Sequence, residues 1–344
     1  MSLMKFAARS ATAAILAAAL GGAALAQEVT LKMHQFLPPQ ANVPKLILVP
    51  WAERAMEASQ GRIQIDHFPS MQLGGKPPEL ASQVVAGVAD IVWTVAGYTP
   101  GRFPQVEAFE LPFMMTNAED TSRAYWEYAE ANMMDSDFKD MKILGVWVHG
   151  PGVIHSNKPI DEVADLNGKK VRGPTRVITG MLGELGATPV GMPVPAMPEA
   201  LSKGVIDAGV IPWEVTAALK VPELVQNHTT FGEDALYTAA FIFAMNKQKW
   251  DSLPDDLKGI IEAQSGADFS ALAGKTMQDA DGPARKLAED AGNNIIDLTS
   301  EQVAEWKAAA SSVEANWIAE MNEKGFDGQD LVDQAKALIA ENSQ

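Results

Sequence analysis

The 344-residue chain carries 27 Lys and Arg against 44 Asp and Glu, a formal net charge of −17, and contains no cysteine. Acidity on this scale repels nucleic acid and anionic lipid surfaces, which excludes both as partners. The missing thiols exclude a disulfide framework, cysteine catalysis and a lipidated amino-terminal cysteine.

Residues 1–26 read as a secretory signal peptide. Lys5 and Arg9 supply positive charge, Ala11 to Leu25 is apolar, and Ala24-Leu25-Ala26 has the small-residue spacing of a cleavage site. The apolar run is about 15 residues where a membrane span needs roughly 20, so export without a membrane anchor is expected. Cleavage leaves about 318 residues and a charge near −19, too long a chain for one core and enough for two lobes.

The predicted elements then alternate. Val29 to His34 reads as a strand, Val43 to Ser59 as an amphipathic helix, Arg62 to Phe68 as a strand, Pro77 to Ala86 as a helix and Asp90 to Val95 as a strand. A second series follows: strand Lys169 to Arg172, helix Gly173 to Gly186, strand Thr188 to Gly191, helix Met197 to Lys203 and strand Ile206 to Ile211. Between the series, Ile143 to His149 and Val153 to Ser156 flank a Gly-Pro-Gly break, and Leu236 to Asn246 is a second apolar run; both read as hinge strands between lobes. Leu253 to Ala291 and Ser300 to Lys324 predict long helices, the first interrupted at Gly282-Pro283.

One cation stands out. Arg172 ends a short strand that Gly173 and Pro174 stop, so its guanidinium lies at the carboxyl edge of a sheet, where open α/β folds place their ligands. Its planar fork suits a carboxylate, although a structural ion pair is the alternative reading. Aromatic residues gather at the other predicted strand ends: Phe36 after the first, Trp93, Thr94 and Tyr98 around the third, Trp213 past the last, and Tyr237 and Phe241 on the second crossing. Together they would make a ring-binding pocket; singly, each reads as core. His149 ends a crossing strand, where it either donates to an acid in the cleft or bonds to backbone.

Phrases in a specific order carry a resemblance: GRIQIDHFPSMQLGG at Gly61 to Gly75, FELPFMM at Phe109 to Met115, SNKPIDEVADLNGKKVR at Ser156 to Arg172, GATPVGMPVPAMPEALSKGVIDAG at Gly186 to Gly209, and NKQKWDSLP at Asn246 to Pro254. The chain resembles the periplasmic solute-binding proteins of TRAP (tripartite ATP-independent periplasmic) transporters, the DctP-like family. The resemblance implies that Arg172 clamps a ligand carboxylate, that membrane permease subunits are the partners, and that a long carboxyl-terminal helix packs across both lobes. Two departures bear on the ligand. Many relatives follow the aspartate matching Asp207 with Gln-Glu-Asn-Pro, whereas this chain reads DAGVIPWE and puts Ile211 in the asparagine's place. A second arginine found in some relatives is absent from HGPGVIH, residues 149–155. Both losses favour an apolar-bodied acid over a dicarboxylate.

Other chemistry is thinly supported. Five histidines lack metal-ligand spacing, no phosphate loop or GxSxG elbow occurs, and no serine has a base at a telling distance. Some relatives hold a metal with a tryptophan and an acid near Trp213-Glu214, but Glu214 alone is too few ligands for calcium. The fold expected is α/β, a two-lobed periplasmic binding protein with two mixed sheets, hinge strands and long C-terminal helices. Lobe I spans 27–149 and about 237–280; lobe II spans 150–236 and about 281–344. The function expected is capture of a small organic monocarboxylate, aromatic or apolar-bodied, by a monomeric periplasmic protein without cofactor or metal. A sugar acid or a hydroxy or 2-oxo acid is the alternative ligand. An enzyme on this scaffold is the alternative class, and it lacks a convergent nucleophile and base.

Overall fold

The computed structural model describes residues 27–343. The segment 1–26, for which the sequence predicts a signal peptide, lies outside the described residues. Strands β1 (Val29–His34), β2 (Ile63–Phe68), β3 (Ile91–Val95) and β4 (Met141–Val148) belong to a first sheet; β5 (Gly152–Ser156), β6 (Lys170–Gly173), β7 (Thr188–Gly191), β8 (Ala208–Pro212) and β9 (Asn227–Thr230) belong to a second. The chain then returns to the first sheet with β10 (Ala240–Asn246) and to the second with β11 (Asn294–Asp297).

The first sheet runs β2-β1-β3-β10-β4 and the second β11-β9-β5-β8-β6-β7. Both are mixed: β10 lies antiparallel to β3 and β4, and β5 lies antiparallel to β8 and β9. The parallel pairs β1–β2, β1–β3, β6–β7 and β6–β8 come from helical crossovers. Every residue of β3, β8 and β10 is buried, as continuous apolar strands covered on both faces should be.

Two passages join the sheets. The first is His149-Gly150-Pro151 between β4 and β5; the second is the segment between β9 and β10. The sequence placed the first break correctly. Glycine is needed beside it, because a Cβ on Gly152 would sit 2.0 Å from Cε1 of Tyr237, so that ring packs directly on the backbone.

Helices fill the flanks with some differences from expectation. Residues 43–58 are helical throughout, but the first six, Val43–Leu48, are π-helical before Val49–Ala58 continues as α. The long helical region breaks at Gly266 (φ 94°) and at Ala280, two residues before Gly282-Pro283. Pro283 instead lies in the first turn of helix Asp281–Asp290, where no N–H is missed. Helices Ala118–Asn132 and Gly328–Asn342 and strands β9 and β11 are elements the sequence reading does not name. Helix Ser312–Glu323 packs on Arg176–Glu184 beside the second sheet, and Gly328–Asn342 packs on Ala118–Asn132 beside the first.

The two halves meet closely. Tyr98 accepts a hydrogen bond from the Val194 N–H at 2.8 Å, and Asn42 donates to the Glu214 carbonyl at 2.7 Å. Arg176 pairs with Glu107 and Glu320, and the Trp317 indole donates to Glu107 at 3.0 Å. At the tightest approach a Cβ on Gly97 would lie 2.4 Å from Cγ2 of Thr175. Gly97→Val is therefore expected to hold the lobes apart, lowering ligand affinity at least tenfold while the ligand-free protein stays folded. Small-angle scattering with and without ligand checks this; normal compaction and affinity would contradict it.

Candidate functional site

Where β6 and β8 end against β3 and β10, the two halves face one another across a cavity lined mostly by rings and aliphatic side chains. Arg172 is 1 % exposed. Its Nε donates to the Met192 carbonyl and its Nη1 to the Val210 carbonyl, both at 2.9 Å. These bonds fix the plane of the guanidinium, and Nη2 is left buried without a partner. Both acceptors are neutral, so the positive charge has no carboxylate of its own among the described residues. Such a charge is costly to bury, and an acid entering the cavity would offset that cost.

Aromatic rings form most of the wall. Trp93 stacks on Phe36 (centroids 4.6 Å, 15° between planes) and on Phe241 (5.1 Å, 24°), and Tyr98 meets Phe36 edge-on at 5.5 Å. His149 stands edge-on to Tyr237 at 5.4 Å and to Phe241 at 6.0 Å. Ile211 faces the cavity from β8, as do Val194 and Val215 from adjoining turns. Flat walls of this kind receive an aromatic ring by stacking or by edge contact.

The polar groups differ in what they can offer. His149 has both nitrogens committed: one to the Gly150 carbonyl, the other accepting from the Ala239 N–H at 3.0 Å. Burial pushes its pKa down to about 4, so the ring is neutral. Both ring nitrogens of His149 are thus bound to backbone while the residue lines the cavity. The Tyr237 hydroxyl, Trp93 Nε1 and Glu214 Oε2 are buried on the wall with no partner. Burial raises the Tyr237 phenol well above its ordinary range, and raises Tyr98 against the pull of Arg172. Glu214 is pushed up to about 8, by burial first and then by Asp281, which burial raises to about 7.

Two sequence-predicted residues fall elsewhere. Thr94 lies between the inward-facing Trp93 and Val95, so the two-residue period of β3 turns its side chain to the opposite face. Trp213 also misses the cavity. The strand ends at Pro212 and a 3₁₀ turn, Trp213–Val215, swings the indole behind β8 against His155 and His228, with Val153, Ala284 and Ala288 around it. The same turn brings Glu214 inward. Sequence reasoning missed Leu37, Val95, Pro174, Val194, Pro212, Val215, Ala239 and Met277, which line the cavity. Leu37 and Pro174 adjoin predicted residues and were legible in principle; Met277, on a distant helix, had no signal. No cluster of three metal-ligating side chains occurs among the described residues.

Glu110, behind the wall, accepts from the Ala240 N–H at 3.1 Å while its Oε2 has no partner, and burial pushes it up to about 8. A carboxyl raised in the folded state contributes stability that is full below about pH 4.5 and lost as pH rises through about 8. The melting temperature of Glu110→Gln is therefore expected to fall several degrees less, or rise more, between pH 5 and 8.5 than that of the wild-type protein. An unchanged slope in a calorimetric pH series would contradict the assignment.

Comparison with known proteins places this geometry. Residues 35–320 match the family model DctP, bacterial extracellular solute-binding protein, family 7. A TRAP solute-binding protein from Rhodoferax ferrireducens, solved with copurified benzoate, is 50% identical with a TM-score of 0.90, over 92% of this chain and 98% of that one. A marine metagenome TRAP protein described as specific for aromatic acid ligands, solved with 3-hydroxybenzoate, is 52% identical with a TM-score of 0.90, over 92% of this chain and 100% of that one. The protein named outer membrane transporter protein TsaT from Comamonas testosteroni is 30% identical, over 98% of this chain and 100% of its own. With its two mixed sheets, its interlobe cavity and a family match over most of its length, this chain belongs to the DctP family of TRAP transporter solute-binding proteins.

Proposed function

We propose that the protein captures a small aromatic monocarboxylate in the periplasm, holds it by Arg172, and delivers it to the membrane permease subunits of a TRAP transporter. The observation that carries this reading is the buried Nη2 of Arg172, without a partner in a wall otherwise built of rings and aliphatic groups. It is the one basic residue among the described lining residues, which suits one carboxylate and not two. Asparagine, glutamine, serine and threonine are absent from those lining residues, which disfavours a sugar acid whose hydroxyls all need partners. The ligands named for the two relatives at 50% and 52% identity, benzoate and 3-hydroxybenzoate, support the same class.

Binding without turnover is the reading that membership of the solute-binding family supports. The division of strands between the two sheets supports reading each sheet as the centre of one lobe. No helix among the described residues is long and apolar enough to cross a membrane.

The energetics are adequate. A charge-assisted pair to Arg172 contributes about 1.5–3 kcal/mol. Burying about 100 Å² of ring at ~25 cal/mol per Å² adds about 2.5 kcal/mol before ordering costs, and closure of the lobes adds the remaining contacts. Ligand would shift an open-to-closed equilibrium by its preference for the closed form, which the permease would recognise.

Calorimetric titration with benzoate tests this. Arg172→Ala is expected to lower affinity at least ~100-fold, about 2.7 kcal/mol, because the ligand carboxylate is left buried without its partner. Unchanged affinity would overturn the role of Arg172. Benzamide, with the same ring and no charge, is expected to bind at least ~10-fold more weakly than benzoate to the wild-type protein. Equal binding of the two would show that charge is not what the cavity reads.

A further inference from the structure

The wall contains an acid that carboxylate capture does not use. Glu214 is 2 % exposed, faces the same cavity as Arg172, and leaves Oε2 with no partner. Its backbone is clamped from two sides: its N–H donates to Asp281 Oδ1 at 2.8 Å, and its carbonyl accepts from Asn42 of the opposite half at 2.7 Å. The turn that carries Glu214 is thus fixed, and only when the halves are together are both clamps made; the residue lines this cavity and also the neighbouring one beside Asn42 and Leu46.

We propose that Glu214 determines specificity within the aromatic acids, its unpartnered oxygen pairing with a hydroxyl on the ligand ring while Arg172 holds the carboxylate. The inference rests on the aromatic-monocarboxylate reading and deepens it: the ligand is a hydroxylated aromatic acid and not the bare ring.

The chemistry supports a neutral partner. An ionised Glu214 would face a low-dielectric wall, the nearby Asp281 and an incoming carboxylate, and all three favour the protonated form. Its raised pKa has the same two protein causes, burial and then Asp281. A protonated carboxyl offers one O–H donor and keeps acceptor capacity, so it can exchange hydrogen bonds with a phenolic hydroxyl, which also donates and accepts. A second carboxylate on the ligand would meet no cation there, because Arg172 is the lone basic group of the described wall. A bare ring would leave the buried oxygen unsatisfied, and that difference is the source of discrimination.

The experiment compares benzoate, 3-methylbenzoate, 3-hydroxybenzoate and 4-hydroxybenzoate by calorimetric titration of the full protein and of Glu214→Gln and Glu214→Leu. Wild-type protein is expected to bind at least one hydroxybenzoate ~10-fold more tightly than benzoate and the isosteric 3-methylbenzoate. Glu214→Gln, which keeps a donor and an acceptor, should retain the preference. Glu214→Leu should abolish it, bringing the hydroxybenzoate and benzoate affinities within about threefold of each other. Infrared difference spectra of the wild-type protein, independent of any variant, should show the carbonyl stretch of a protonated glutamic acid shifting with hydroxybenzoate and not with benzoate. Equal wild-type affinities for all four acids, a preference that persists in Glu214→Leu, or binding that requires an added cation would overturn the role of Glu214 and leave aromatic capture standing. Failure of all four acids to bind the wild-type protein would overturn the reading on which the inference rests.

Discussion

A guanidinium buried between two sheets, tied by two of its nitrogens to main-chain carbonyls and left with the third free, is the constraint around which this molecule is arranged. The tie to Met192 comes from the residue after β7 and the tie to Val210 from within β8, so the second sheet orients the fork before any ligand arrives. Preorganisation of this kind avoids the rotamer entropy that a solvent-exposed arginine would lose on binding. The first sheet contributes the opposite property, an apolar face of stacked rings that gives the charge no protein partner. Charge from one lobe and dry surface from the other meet only when the lobes meet.

The sheet topology explains how that meeting is achieved. Because β4 leads directly into β5 and the chain returns through β10, both passages between lobes run beside the cavity. His149 and Tyr237 sit on those passages, and each is locked to main chain or packed on it: His149 through Gly150 and Ala239, Tyr237 over Gly152. Hinge and binding wall are therefore the same residues, so occupancy of the cavity and the angle between lobes are not independent. The ion pair of Arg176 with Glu107, braced by Trp317, ties the halves at a second place away from the cavity.

Much of this was legible in the sequence, and the failures have physical reasons. The alternating strands and helices gave both halves of the fold, and Arg172 stood out because Gly173-Pro174 ends its strand. Strand-end position alone could not say which way a side chain points. Thr94 and Trp213 were misplaced for that reason: the first lies out of phase with Trp93 on the same strand, and the second begins a three-residue helical turn that reverses the alternation of β8. Glu214 was weighed only as a metal ligand because its lack of a partner is a property of the packed cavity and not of spacing. Helix Ala118–Asn132 was legible in its Asn117 cap and its buried residues three and four apart, whereas the four-residue strands β9 and β11 are too short for a local period to decide their state. The family resemblance supplied the role of Arg172; the residues supplied the reason an apolar ring should accompany the acid.

The most direct test is a crystal structure of the protein with benzoate bound. The account predicts a carboxylate oxygen within about 3 Å of Arg172 Nη2 and the ring lying among Phe36, Trp93 and Phe241, with the two lobes closed over it. A benzoate bound away from Arg172, or an arginine side chain turned out to solvent above an open cleft, would contradict it.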